Sequence, residues 1–334
     1  MNRRNFLFRC LAGGGLLWLG SRWIGSDFLR RNFGGETVAS SKASGYYRIV
    51  VMGDPHLPVR DREVKDAAKR QRIIEAKERV IEDINGWQDV GEVAVLGDIA
   101  AQFGIDPEYE YAKAYLGRLQ KPVYLVTGNH DYIYQDVFSA DGKFIWGDAA
   151  SRQRKLNRFQ AAFGLKSLFY SHKAGNFQLI YLSPDSLEAR HLTELSRTQL
   201  DWFQAELQKN AEAPVIVFFH APLQDTLLSY NKTVNTPNFV AQPADRLHTL
   251  IRENRRITLW VSGHTHTPAT NESYAAEKVN TYDGHVHNIH TPDMDRETIW
   301  TNSLYLYSDK VVVRTFNHTS KQWEDRLDRT ISLG

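Results

Sequence analysis

Five short segments of this 334-residue chain carry side chains of the kinds that bind metal ions. Each contains an aspartate, an asparagine or a histidine, and each includes a glycine or a proline, residues typical of turns. In chain order they are Asp54-Pro55-His56, Gly97-Asp98, Gly128-Asn129-His130-Asp131, His220-Ala221-Pro222 and Gly263-His264-Thr265-His266. The segments are so far apart in sequence that only the fold could unite them in one site.

These side chains suit several divalent or trivalent metal ions better than a structural zinc cage. Aspartate and asparagine offer oxygen, histidine offers nitrogen, and the single cysteine, Cys10, excludes a cage of several thiolates. Manganese, iron, zinc, cobalt or nickel would fit such donors. The set is too large for one ion but fits two ions that share a carboxylate, which is the usual clamp for in-line displacement at phosphorus.

Each segment follows a run of β-branched or aromatic residues that predicts a buried strand. The predicted strands cover residues 46–52, 93–96, 123–127, 215–219 and 257–262. Because ligands bind outside the carboxyl ends of parallel strands, we expect the five segments to line one crevice of an α/β fold.

The rest of the chain divides into helices, further strands and irregular stretches. Apolar periodicity predicts helices near residues 64–86, 107–119, 150–163, 196–209 and 244–253. We expect another strand at 176–183 and a closing hairpin at 300–307 and 310–316. The stretches expected to be irregular are 132–150, 222–243 and 267–298. Since long loops are uncommon unless they are functional, we expect these to wall the crevice and select the substrate.

The ordered set of five segments resembles that of the calcineurin-like metallophosphoesterases, over about residues 46–320. Within that superfamily the chain is most similar to the branch of class III cyclic-nucleotide phosphodiesterases and glycerophosphodiesterases. The resemblance implies an α/β fold that is a four-layer α/β/β/α sandwich, with two mixed sheets packed face to face. It also implies a phosphoric ester hydrolase in which a hydroxide bridging two metal ions attacks phosphorus.

The same resemblance implies a role for each site residue. The implied metal ligands are Asp54, His56, Asp98, Asn129, His220, His264 and His266. Asp98 would bridge the two ions, with Asp54, His56 and His266 completing the first and the other three ligands completing the second. His130 would not bind metal but would help protonate the leaving oxygen, with Asp131 orienting its ring.

Departures from the motifs of related phosphatase families favour small-molecule phosphodiesters as substrates. Ala101 stands where purple acid phosphatases carry a tyrosine ligand, and residues 99–102 lack the arginine with which Ser/Thr protein phosphatases grip a phosphomonoester. Those phosphatases also have glutamate in place of Asp131, and lipid-A precursor hydrolases usually have arginine in place of His130. The alternatives are a phosphomonoesterase of the same fold and a non-catalytic metal-binding scaffold.

The composition is that of an ordinary globular protein, with 42% hydrophobic and 24% charged residues. A formal charge of +2, with no basic run outside the N-terminus, argues against a nucleic-acid partner. We therefore expect a small-molecule phosphoester as the partner. His285, His287 and His290 could touch substrate or a third ion, although a solvated loop is the simpler interpretation.

Residues 1–43 are expected to form a signal and linker ahead of a metallophosphoesterase domain at 44–330. Arg3-Arg4, followed by an apolar stretch at 11–20, resembles a twin-arginine export signal. That stretch is shorter than the roughly 20 residues of a membrane span. We therefore expect the twin-arginine machinery as a partner, a periplasmic or secreted location, and no permanent membrane span after processing.

Overall fold

The computed structural model describes residues 45–209 and 212–333. The expected export signal, including Arg3-Arg4, lies outside these residues. Within the described part, no helix combines the length and the apolar character that crossing a membrane would require.

The first of two large sheets contains the first three strands of the chain and its C-terminal strands. β1 (Tyr47–Met52), β2 (Val90–Leu96) and β3 (Val123–Val126) run parallel to one another. The remaining strands, each antiparallel to its neighbour, are β12 (Trp300–Leu306), β13 (Lys310–Asn317), β14 (Gln322–Trp323) and β15 (Arg329–Ser332). Pairing of β12 with β13 forms the closing hairpin that the sequence predicted.

The second large sheet is also mixed. In chain order its strands are β6 (Tyr170–Ala174), β7 (Phe177–Tyr181), β8 (Val215–Phe218), β9 (Ile257–Ser262), β10 (Thr281–Tyr282) and β11 (Val286–His290). β7, β8, β9 and β11 form parallel pairs, whereas β6 and β10 pair antiparallel at the two edges. The second sheet therefore has a parallel centre, whereas the parallel strands of the first sheet, β1, β2 and β3, lie at one side of it. In each sheet the parallel strands end at the same edge.

The two sheets pack face to face between layers of helices. Alternate strand residues such as Ile49, Leu96 and Phe218 form the core between the sheets. On the outer face of the first sheet lie α1 (Ala67–Gly86), α2 (Asp106–Leu116) and α4 (Ala149–Phe163). On the outer face of the second lie α5 (Arg197–Lys209) and α6 (Ala244–Glu253). The mixed α/β fold of four layers is thereby confirmed.

Two of the three stretches expected to be irregular contain regular elements. Residues 132–150 include the end of the short helix α3 (Asn129–Tyr132) and a hairpin, β4 (Tyr134–Phe138) and β5 (Phe144–Trp146). Residues 267–298 include the short helix α7 (Glu277–Asn280), β10 and β11.

The sequence did not predict β11, because this strand contains several polar residues. Asn288 is buried at the centre of the strand, where its side chain accepts a hydrogen bond from the N–H of Leu223 and donates one to Ser262 Oγ, both at 2.9 Å. Hydrophobic alternation is the main local signal of a strand, but tertiary hydrogen bonds can stabilise a strand that lacks this signal. The expectation that residues 267–298 are irregular was wrong for this reason.

Candidate metal centre

The site residues occupy the turns that follow β1, β2, β3, β8 and β9. Asp54, His56, Asp98, His264 and His266 all have positive φ angles, between 42° and 65°. L-residues rarely adopt this left-handed conformation, and where they do the strain is often associated with a functional site. The backbone therefore leaves each strand abruptly and directs these side chains to the edge of the sheets.

Two glycines allow the turns to approach one another. A Cβ atom on Gly128 would collide with the backbone nitrogen and the carboxylate of Asp98, and one on Gly263 would collide with the carboxylate of Asp54. Close backbone approach thus explains the glycine in the third and fifth segments.

Asp54, His56, Asp98 and His266 form the first group of potential ligands, with ligand atoms within 4.8 Å of one another. His56 Nε2 lies 3.2 Å from His266 Nε2 and 3.8 Å from Asp98 Oδ2. His266 Nε2 lies 3.8 Å from Asp54 Oδ1. Ligands about 2.1 Å from one ion are roughly 3–3.5 Å apart, so the group is close to the size of a coordination shell.

Asp98, His220 and His264 form the second group, again within 4.8 Å. His220 Nε2 lies 3.5 Å from Asp98 Oδ1 and 3.1 Å from Asn129 Oδ1, so the asparagine adds a fourth donor. Asp98 belongs to both groups, with Oδ1 nearest His220 and Oδ2 nearest His56. The arrangement fits two ions that share this carboxylate.

Backbone carbonyls orient two of the imidazoles. His220 Nδ1–H donates to the oxygen of Leu96 at 2.7 Å, which leaves Nε2 available to a metal. His264 Nε2–H donates to the oxygen of Asn238 at 2.8 Å, which leaves Nδ1 available. Because a carbonyl oxygen can only accept, these bonds define the tautomers, and such contacts are typical of metal-binding histidines.

Burial and mutual charge control protonation in the site. Burial lowers the pKa of His264 to about 3 and that of His266 to about 4, so both rings are neutral at pH 7. Burial also opposes protonation of His220, but the carboxylates of Asp98 and Asp54 raise its pKa to about 9. A metal ion held by Asp98 and His220 would satisfy the same negative charge and displace the proton from His220.

His130 lies beside the first group, with its ring centroid 5.1 Å from that of His56. Its Nδ1–H donates to the backbone oxygen of Gln102 at 3.0 Å, which leaves Nε2 free to exchange a proton. The ring packs against Tyr134 of the β4–β5 hairpin, and the hydroxyl of Tyr134 accepts a hydrogen bond from Asn129 Nδ2 at 3.3 Å. That bond turns Asn129 Oδ1 toward His220.

Asp131 does not orient the ring of His130, and this corrects the role expected from the sequence. Its carboxylate accepts hydrogen bonds at 2.8–3.2 Å from the backbone N–H groups of Ile99, Ala100 and Gly128. These bonds tie the turn after β2 to the turn after β3. Burial and the nearby charge of Asp98 raise the pKa of Asp131 to about 7. Asp131 therefore positions the backbone around Asp98.

The other three candidate histidines belong to neither group of potential ligands. His290 is buried and its Nε2 donates to the oxygen of Thr226 at 2.9 Å. His285 contacts the guanidinium of Arg255 at 2.9 Å, and His287 is half-buried on β11.

Charged residues that the sequence did not reveal lie around His266. Asp293, just beyond β11, is buried and contacts Arg296 Nε at 2.5 Å and Arg60 Nη2 at 3.8 Å. Arg296 Nη2 also donates to the backbone oxygen of His266 at 2.7 Å. The available signal was weak: a carboxylate three residues after a short segment with apolar residues at 286 and 289.

The irregular stretch 222–243 covers the second group, as expected. The ring of Phe239 stacks on that of His264, with centroids 5.0 Å apart and an interplanar angle of 24°. The hydroxyl of Tyr230 bonds to Thr267 Oγ1 at 2.8 Å. These contacts join the loop to the turn that carries both histidines of the fifth segment.

The fold and the site together define the class of protein. The sequence profile of the calcineurin-like phosphoesterase family matches residues 47–268, which include every expected ligand, and the chain belongs to this family. It is a phosphoester hydrolase with a metallophosphoesterase fold and a candidate site for two metal ions.

Individual relatives are distant. Over 222 residues the chain is 25% identical to a probable cyclic nucleotide phosphodiesterase of Rhodopseudomonas palustris, covering 66% of this chain and 72% of that protein. A dimetal phosphatase from Danio rerio superposes with a TM-score of 0.57 at 16% identity, covering 86% of this chain and 99% of that one. Purple acid phosphatase PPD1 from yellow lupin superposes with a TM-score of 0.59 at 14% identity, covering 88% of this chain and 54% of that one. At these identities the two solved structures establish a shared fold.

Proposed function

We propose that this protein hydrolyses small-molecule phosphodiesters with two metal ions. The observation that carries the proposal is the position of Asp98 between two overlapping groups of donors. Two bound ions supply a water molecule of lowered pKa and neutralise the oxygens that gain charge at phosphorus. Manganese, iron, zinc and cobalt all suit oxygen and imidazole donors.

His130 is the proposed proton donor to the leaving oxygen. Its Nδ1–H is engaged by the carbonyl of Gln102, so Nε2 is the atom through which a proton would pass. The ring lies next to His56 but has no place in either ligand group. A positioned acid of this kind matters most when the leaving group is a poor one.

Two observations support a diester substrate. The turn after β2 presents Ile99, Ala100 and Ala101, which are buried and apolar and so offer no cation to a phosphomonoester dianion. The relative from Rhodopseudomonas palustris is described as a probable cyclic nucleotide phosphodiesterase.

A phosphomonoesterase is the second candidate, because Arg60 and Arg296 lie beside His266. Guanidinium groups there could neutralise a dianion in place of the arginine that the turn after β2 lacks. Rates on bis(4-nitrophenyl) phosphate and 4-nitrophenyl phosphate, measured on one preparation, separate the candidates. A higher kcat/KM for the monoester would favour the phosphatase.

The direct test of the proposed function uses purified protein supplied in turn with Mn²⁺, Fe²⁺, Zn²⁺ and Co²⁺. We expect turnover of bis(4-nitrophenyl) phosphate and a metal content of about two ions per chain. Folded protein that binds no metal and turns over no phosphoester would contradict the proposal.

We also propose that the protein is exported by the twin-arginine route to the periplasm or beyond. The support is Arg3-Arg4 ahead of a short apolar stretch. Replacing both arginines with lysine should retain active enzyme in the cytoplasm of a host with that machinery. Cell fractionation measures the outcome, and undiminished export of the variant would contradict this route.

A further inference from the structure

A charged cleft of about 480 Å³ opens on the side of His266. We call it the His266 cleft and define it by His266 and the charged residues of its lining, which are Arg60, Lys69, Asp293, Asp295, Arg296 and Glu297. Its walls come from the chain after β1, the turn after β9 and the segment after β11. The cleft therefore adjoins the first ligand group directly.

Three cations, Arg60, Lys69 and Arg296, are at least partly exposed in this wall. One carboxylate, Glu297, is exposed with them, and it is paired with Arg72 at 2.7 Å. Asp295 accepts hydrogen bonds from Arg60 Nε at 3.0 Å and from Lys77 Nζ at 2.8 Å, and Asp293 contacts both Arg60 and Arg296. The side chains of the two aspartates are 2% exposed or less, whereas those of Arg60 and Arg296 are 17% and 35% exposed. The carboxylates lie behind the guanidinium groups.

Some donors of the wall have no acceptor within residues 45–209 and 212–333. Arg296 uses Nε for Asp293 and Nη2 for the oxygen of His266, and its Nη1 forms no hydrogen bond there. Lys69 is exposed, and its ammonium group forms neither a hydrogen bond nor a close ion pair with the described chain. An anion could bind these donors without displacing an existing partner.

We propose that the His266 cleft binds a second anionic group of the substrate, a carboxylate or a phosphate, carried on the ester arm that remains attached to phosphorus. The inference rests on the proposed phosphodiesterase function and narrows its substrate class. The natural substrate would then be a diester with one negative charge at the reacting phosphorus and at least one more on the retained arm.

Geometry assigns the cleft to the retained arm. The ring of His130, the proposed proton donor, packs against Tyr134 and Phe144 and has no part in the cleft. His56 lies between the two, with its ring 5.1 Å from that of His130 and its Nε2 3.2 Å from His266 Nε2. Because the leaving oxygen must face His130, the other arm extends past His266.

The test compares three diesters that share 4-nitrophenolate as leaving group. Their retained arms are ethyl, 2-carboxyethyl and 2-(phosphonooxy)ethyl, and the enzyme is loaded with Mn²⁺. We expect at least one anionic arm to lower KM about tenfold relative to ethyl, which is the effect of one charge-assisted hydrogen bond. The arm with the larger effect distinguishes a carboxylate from a phosphate.

Two variants connect this preference to the cleft. Lys69→Gln and Arg296→Gln should each reduce the KM ratio between ethyl and anionic arms by about threefold or more. Lys65→Gln is the matched control, since Lys65 is an exposed lysine of the same segment outside the cleft. Because Arg296 also donates a hydrogen bond to the backbone oxygen of His266, the metal content and Tm of its variant are measured as well. The side chain of Lys69 forms no hydrogen bond within residues 45–209 and 212–333, so its variant keeps the test decisive if Arg296→Gln does not fold.

The outcomes separate this inference from the function on which it rests. Equal KM for the three diesters, or a preference that survives both variants, would overturn the assignment of the cleft and leave the phosphodiesterase intact. If Lys69→Gln raised KM equally for all three diesters, that lysine would act at the reacting phosphate, and the assignment of the cleft would also be overturned. No turnover of the ethyl diester or of bis(4-nitrophenyl) phosphate would refute the proposed function and the inference with it.

Discussion

The two ligand groups that share Asp98 are built differently. In the second group, His220 and His264 are 0% and 5% exposed, and each donates a hydrogen bond to a backbone carbonyl. In the first group, the side chain of His266 is 24% exposed. Nδ1 of His56 has no hydrogen-bond partner among the described residues. The second group is enclosed and oriented by backbone carbonyls, whereas the first is open at His266, although its Asp54 and His56 are both 0% exposed. We call these the enclosed half and the open half of the centre.

This difference suggests a division of tasks. Hydrogen bonds to ligand histidines raise the basicity of the ring and hold it in place, so the enclosed half is suited to retaining its ion. The open half adjoins the charged cleft, through which a substrate can approach. The variants below test whether the two halves depend on one another and how far they differ.

The largest effect is expected for Asp98→Ala, because both halves lose the shared carboxylate. We expect loss of both ions and a fall of about 10⁴-fold or more in kcat/KM, since the metals supply the nucleophile and the charge stabilisation. Metal analysis and kinetics on bis(4-nitrophenyl) phosphate measure the result. Asp201→Ala, an exposed aspartate on α5, is the control. Retention of either ion at full occupancy would show that Asp98 is not the bridge.

His130→Ala should keep both ions but lower turnover, because His130 is proposed to donate a proton without binding metal. Loss of a positioned acid typically costs about 10²–10⁴-fold. The deficit should shrink for a nitrophenolate leaving group, which departs without a proton. Exposed His248 provides the control variant. Metal loss, or equal deficits on good and poor leaving groups, would contradict the assigned role.

Asp295→Asn should lower the free energy of unfolding by about 3 kcal/mol, because buried Lys77 would lose its carboxylate partner. Burial raises the pKa of Asp295, but the charges of Lys77 and Arg60 outweigh burial and hold it below the ordinary value. The stabilisation is therefore present above the unfolded pKa of about 3.9 and is lost as pH falls through the lower folded pKa.

Urea unfolding at pH 7 and near pH 3 measures this effect. The difference between wild type and Asp295→Asn should be largest at pH 7 and should shrink in acid. Glu297→Gln is the matched control, since the Glu297–Arg72 pair is exposed and should contribute about 1 kcal/mol or less. Equal destabilisation by the two variants would mean that burial does not strengthen the Lys77–Asp295 pair.

The smallest expected effect is a difference in affinity between the two ions. Graded chelation should remove the ion of the open half first, with an affinity about 10–100-fold weaker, because only the enclosed half has carbonyls on its imidazoles. Anomalous scattering from crystals at intermediate chelator concentrations would identify the remaining ion. Simultaneous loss would show that the bridging carboxylate, rather than the histidine contacts, determines affinity.

Much of the site could be predicted because strand and turn signals are local. The runs before Asp54, Asp98 and Asn129 are β-branched and apolar, and each became a strand of the first sheet. A donor that follows such a strand must lie at the sheet edge, whatever the rest of the chain does. Six of the seven predicted ligands, all but Asn129, therefore lie in two overlapping groups with ligand atoms within 4.8 Å of one another.

The rest could not be predicted, because it depends on partners that are remote in sequence. β11 is supported by tertiary hydrogen bonds to Asn288, and the segment after it brings Asp293 and Arg296 to the metal centre. The hydrogen bond from His130 Nδ1 to the backbone oxygen of Gln102 likewise depends on how the turn after β2 packs against the turn after β3.

The sequence by itself determined the donor chemistry, which is oxygen and imidazole. Its resemblance to a known family implied two sheets with helices around them and a carboxylate shared by two ions. Only the tertiary structure decided that Asp131 supports the backbone, that His220 and His264 are enclosed, and that a charged cleft adjoins His266. The reason is physical. Residue type defines what an atom can bind, and strand pattern defines which edge it reaches, whereas sheet packing defines the distances between segments that are far apart in the chain.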